Sequence, residues 1–338
     1  MGFVLLALGG LEPIFAHSQA AARSARPPLA ARVVADSLLL GRAMQGQRVD
    51  SLIAILDRDV ATARRRGDRG PLARLLRLRG VAHALASRPA AIPDLDEALR
   101  LSEALGDSTL MMVSLRWRAY MAGVQERFDE QERLARRLLG LAEAAADARM
   151  QAVAQNFIGW IAVQRGDHRA ALSHLEAAAR QHRRSGNETE EAVVLTALGS
   201  VQSRLGDYSG ARATYERQLE IAHRLGNRWL KAQAQTGLGT IESLVGDPLR
   251  ALDYHRSAWE IQRSFGETVD AAKALAGLIH SQHQAGWLED AIALGREAVA
   301  MCERRGFHST RSAFLAQMGW IETDLGHPDA ADRAWRRV

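Results

Sequence analysis

His280 and His283 stand three residues apart, a spacing that puts both imidazoles on one face of a helix. Such a pair is part of a metal site at most. A closed site takes about four ligands, and neither a cysteine pair nor a carboxylate cluster accompanies these two; His255 and His308 lie out of register. The pair therefore reads as the polar lining of a groove, able to hydrogen-bond a ligand, with no metal and no cofactor expected. Cys302 is the only cysteine, so an intrachain disulfide and a paired-thiolate site are excluded.

Other chemistries fail on pattern. There is no phosphate-cradling glycine loop, no zinc-protease helix signature and no strand–turn–helix setting for a serine nucleophile. Glu190-Glu191, Asp94 and Asp96 fall at expected helix starts, where negative charge complements the helix dipole. No residue asks for a catalytic role, and the chain is expected not to be an enzyme. What remains is binding.

The elements that would position binding residues are announced by glycine. Gly46, Gly166, Gly206, Gly246, Gly286 and Gly326 recur with a 40-residue period that only Ala86 and Glu126 interrupt. A second ladder runs through Gly106, Gly186, Gly226, Gly266 and Gly306, with Gly67 displaced by one. Between the rungs lie apolar stripes at helical spacing: Ala192, Leu195, Leu198 and Val201, then Ala211, Tyr215, Leu219, Ala222 and Leu225. Glycine ends each helix by accepting the left-handed backbone, and Asp207 or Asp247 follows to cap the next. Pro248 and Pro328 share a first-turn slot, where no intrahelical N–H bond is lost. The unit is a helical hairpin. A third ladder, Gly159, Gly199, Gly239 and Gly319, lies inside the first helices and invites close approach of the partner helix; Ile279 breaks it, with Gly277 beside it as the expected compensation.

Leu198-Gly199, Gly206, Tyr208, Ala211 and Tyr215 resemble the tetratricopeptide repeat at its own spacing. Ile158-Gly159, Gly166 and Ala171 match again, as do Leu238-Gly239, Gly246 and Ala251, and Met318-Gly319, Gly326 and Ala331. The period is longer than the common one of about 34 residues, as in the long-helix arrays of kinesin light chains and bacterial regulatory proteins. Leu105-Gly106-Asp107 and Leu225-Gly226-Asn227 carry the ending those arrays use. The resemblance covers about residues 31–338 and implies an all-α fold: a right-handed α-solenoid of about eight hairpins, occupying 26–338, the last incomplete.

It also implies a mode of action, in which the inner face of the first helices holds an extended peptide or protein segment. One position along that face is filled by Tyr120, Trp160, Ser200, Thr240, His280 and Trp320, and another by Asn156, Thr196 and Thr236. With His283, Arg204 and Gln233 these form the expected peptide-binding wall, Trp160 and Trp320 being its aromatic anchors. The alternative is a sensory or regulatory segment of a larger signalling protein or enzyme whose effector domain lies beyond Val338. An uncapped last hairpin, with Ala331, Ala334 and Trp335 bare, would fit that reading or self-association.

A formal charge of +5, carried almost wholly by arginine, is too small and too dispersed to drive nucleic-acid binding; the run Arg64-Arg65-Arg66 reads as a solvated helix end. The segment Phe3–Leu8 opens a short apolar run reaching Phe15, and Ala16-His17-Ser18 has cleavage-like small residues. Residues 1–25 thus resemble a secretory signal peptide or a disordered leader, which favours export to a periplasmic compartment over a cytoplasmic location. No later run is long enough for a membrane span.

Overall fold

In the computed structural model, residues 49–86 and 88–338 are described, and the leader and Gly46 lie outside them. The described residues form fifteen α-helices and no strand. They fall into two compact units, one ending at Glu190 and the other running from Glu191 to Val338. The first contains α1 (Val49–Arg66), α2 (Arg69–Leu85), α3 (Ala91–Leu105), α4 (Ser108–Val124), α5 (Phe128–Ala144), α6 (Ala148–Gln164) and α7 (His168–Arg184). The boundary falls near the start of α8 (Glu188–Arg204). Beyond it lie α9 (Tyr208–Arg224), α10 (Arg228–Val245), α11 (Pro248–Arg263), α12 (Val269–Gln284), α13 (Leu288–Arg305), α14 (His308–Asp324) and α15 (Pro328–Trp335). No described helix is long and apolar enough to cross a membrane.

One hairpin shows how the sequence builds the rest. The Asn227 side chain accepts from the Leu230 N–H at 3.1 Å and starts α10, which Gly246 ends at φ 87°. Asp247 then accepts from the Arg250 N–H at 3.0 Å, and Pro248 opens α11. Helix α11 buries Ala251, Leu252, His255, Ala258 and Ile261 on one face. Within each unit consecutive helices pack on one another, from α1 through α7 and from α9 through α15, and first helices also touch the next first helix: α2 on α4 and α4 on α6, then α10 on α12 and α12 on α14. Leu225, expected in the buried stripe of α9, stands past the last helical turn and is exposed.

At two rungs the left-handed backbone is kept without glycine, whereas Ala86 takes φ −85°. Glu126 interrupts the first ladder yet keeps its left-handed φ, 58°, and Ala146 does the same on the second at 51°. Both carry a Cβ where glycine would be unstrained, at a cost of roughly 1–2 kcal/mol. Glu126→Gly and Ala146→Gly are each expected to raise stability by about 0.5–1 kcal/mol, the relief exceeding the added freedom of the unfolded chain. Urea denaturation of the two variants checks this; an unchanged midpoint would refute the strain.

The inner ladder sets helix spacing. A Cβ on Gly199 would lie 2.6 Å from the Tyr215 ring, and one on Gly239 2.7 Å from the His255 ring, in each case the side chain sixteen residues on. Gly237 and Gly277 make room for the same two rings from the following hairpin. The Tyr215 and His255 rings are therefore each sandwiched between glycines of two first helices. Ile279, which breaks the series, is fully buried, and the glycine sixteen residues on, Gly295, faces Met318: a Cβ there would lie 2.8 Å from that side chain.

Candidate functional site

In the unit up to Glu190, the expected wall is closed. Helix α4 is buried from Leu110 to Gly123 except for partial exposure of Met111 and Val113. Arg116 Nη2 donates to Glu190 Oε1 at 2.6 Å, and both side chains are all but inaccessible, at 2% and 1%. Tyr120 is buried too, edge-on to Trp117 with centroids 5.7 Å apart, and burial pushes its hydroxyl pKa up to about 12. Asn156, one hairpin later in the same phase as Arg116, is 3% exposed. Tyr120 and Asn156, expected on the wall, thus lie buried, at 1% and 3% exposure. Trp160 is half-buried, its ring 6.0 Å from that of Phe128.

In the unit from Glu191, the same phase is open. Among the exposed and half-buried positions of α10 are Gln233, Thr236, Thr240 and Leu244; on α12 they include Lys273, Ala276, His280 and Gln284. On α14, Ala313, Ala316, Trp320 and Asp324 continue the pattern. Thr236, Ala276 and Ala316 make a shallow floor of small residues. Thr236 and Thr240 hydroxyls bond back to the carbonyls of Ala232 and Thr236, both at 2.9 Å, which leaves each oxygen able to accept. Trp320 is 62% exposed, steadied by a perpendicular contact with Trp335 at 5.2 Å.

Three further expected residues sit at the margin. The Thr196 hydroxyl accepts from Gln218 Nε2 at 2.6 Å, so it is turned toward α9. Ser200 is half-buried, and Arg204 is exposed at the end of α8. His283 is engaged with Asp324, Nε2 to Oδ2 2.6 Å, a bond that ties α12 to α14. The histidine pair is therefore split between a structural tie and a free ring, and among the described residues no three His, Cys, Asp or Glu could hold a metal. Partial desolvation, then the neighbouring His283, hold the His280 ring below the ordinary imidazole range.

Lys273 and Leu244 were missed in the sequence, although the period announces them: each stands forty residues after an expected wall residue, Gln233 and Arg204. The wall thus presents an amide, an ammonium, a hydroxyl and an imidazole beside an exposed indole. Such a surface can pair with backbone carbonyls and carboxylates and seat one apolar side chain.

A family model of the tetratricopeptide repeat matches residues 186–264. A search of curated protein sequences finds no match. Among solved structures, the apo form of RapI aligns with TM-score 0.63 at 11% identity, over 90% of this chain and 96% of that one. A Rap protein complexed with Competence and Sporulation Factor gives 0.62 at 13%, over 91% and 96%. A signal transduction ATPase (STAND) protein with a tetratricopeptide repeat sensor, from Pyrococcus horikoshii, gives 0.62 at 16%, over 90% of this chain. The chain spans only 47% of that protein. Residues 186–264 are thus of the tetratricopeptide type by sequence, and the described residues share the helical-hairpin repeat fold of these structures.

Proposed function

We propose that the protein is a binding scaffold that takes an extended protein segment along the first-helix wall of the unit from Glu191. The observation that carries this is the open stripe from Gln233 to Trp320, whose equivalent in the other unit is largely buried, at Arg116, Tyr120 and Asn156. Trp320 is the anchor, Lys273, His280 and Gln233 are the donors, and the Thr–Ala–Ala floor admits a backbone. A Rap protein of similar fold was solved with Competence and Sporulation Factor bound, which is consistent with capture by such an array. A second reading is a regulatory sensor coupled to an effector domain, favoured by the STAND protein, whose repeats are described as its sensor.

Selection from a displayed random-peptide library tests the wall. Binders are expected, and Trp320→Ala should weaken them at least about tenfold, roughly 1.4 kcal/mol, with the melting curve unchanged. Binding indifferent to Trp320→Ala and Lys273→Ala would remove the site.

A further inference from the structure

In the unit from Glu191, the turns that join each second helix to the next first helix lie side by side. Trp229 Nε1 donates to Asp270 Oδ2 at 3.1 Å, and the Arg228 guanidinium stands 6.0 Å over the Phe265 ring, which ties the α9/α10 turn to the α11/α12 turn. Arg304 Nη2 donates to Glu267 Oε1 at 2.7 Å and ties in the α13/α14 turn. The three turns make one edge. Leu225 and Phe265, each just before the left-handed glycine of its turn, are both 42% exposed, and Val269 is 44% exposed where α12 starts.

The formal net charge of +5 hides how charge is sorted in this unit. Over residues 220–231, 260–271 and 300–311, which make this edge, seven Arg and Lys stand against five Asp and Glu. Over 200–211, 240–251, 280–291 and 320–331, which make the other edge, two stand against eight. Four of the five carboxylates on the basic edge are also occupied: Glu220 by Arg217, Glu267 by Arg304, Asp270 by the Trp229 indole and Glu303 by Arg337. Glu260 is the exception. Arg228, Lys231, Arg263 and Arg305 have no carboxylate partner among the described residues. Leu105 in the other unit marks the contrast: it is as exposed, at 46%, but stands between Glu103 and Asp107.

We propose that the basic edge docks on an anionic lipid surface. Cations without carboxylate partners, set among exposed apolar side chains on one edge, match a bilayer interface, where anionic headgroups overlie acyl chains. Leu225 and Val269 are aliphatic, and acyl chains receive them as a nucleic-acid base cannot, since a base offers a face for stacking. A nucleic acid or an acidic peptide would engage the cations and leave these side chains in water. Three partly exposed side chains bury little apolar area, so docking is reversible and leans on the charges, which salt screens.

Cosedimentation with phosphatidylcholine vesicles carrying about one-third phosphatidylserine tests this. Capture by these and not by pure phosphatidylcholine vesicles is expected, and it should weaken as salt rises. Arg263→Glu with Arg305→Glu, on two exposed side chains, should weaken capture at least about tenfold and leave the melting curve unchanged. Leu225→Ser with Phe265→Ser should weaken it about as much, which attraction between charges alone would not do. A chain that ignores the anionic vesicles overturns the proposal, as does capture that survives either double variant. Tighter binding to a single-stranded oligonucleotide or to polyglutamate than to the vesicles overturns it too, by making the edge a site for polyanions in water.

Discussion

Arg116→Met should destabilise the unit ending at Glu190 by about 3–5 kcal/mol, and Glu190→Leu should approach that loss, whereas Arg116→Met with Glu190→Leu should cost far less. The reason is solvation rather than attraction. Both groups have been taken out of water, at 2% and 1% exposure, and each compensates the other across 2.6 Å. Removing one takes from the other its buried charge partner in a medium that stabilises charge poorly, while removing both leaves neither ion of the pair behind. The neighbourhood sharpens the effect: Arg118, on the same helix, already occupies Asp96 and Glu130. Urea denaturation of the four species closes a double-mutant cycle. Additive losses would show that the ion pair is not the unit of stability here.

Acid should weaken both units through one buried histidine each. His182, in the unit ending at Glu190, is buried and its pKa is lowered to about 4, by burial first and then by the charges of Arg116 and Arg149. His255, in the other, is likewise lowered to about 4 by burial. Its Nδ1 sits 2.8 Å from Ser281 Oγ, whose proton is directed to the Gly277 carbonyl, so Nδ1 carries the hydrogen and the ring is neutral. A folded-state pKa below the unfolded value of about 6.5 means that the unfolded chain takes up protons first. Stability is therefore full above pH 6.5 and is lost as pH falls to about 4, by on the order of 3 kcal/mol per histidine. His255→Leu copies the leucine that fills this slot at Leu175 and should flatten the acid limb of its own unit. An unaltered limb would place the sensitivity elsewhere.

The repeat was legible because it is local chemistry. A left-handed turn, an Asn or Asp cap and an apolar stripe are each specified within about a helix length, so Gly246, Asp247 and Pro248 announce a hairpin wherever they stand. The period then placed Thr240, His280 and Trp320 in one row. Even so, phase is silent about what covers a position. Trp320 and Tyr120 share a phase, and one is exposed while the other is core.

The sequence alone determined the helical hairpins, their register and the family they resemble, since turn and cap energies act between near neighbours. Tertiary structure decided which wall is open. Glu190 reaches Arg116 across 74 residues, and the Tyr215 ring lies between Gly199 and Gly237. Both depend on how helices lie against one another, and a contact between distant residues is fixed by packing that no local pattern encodes.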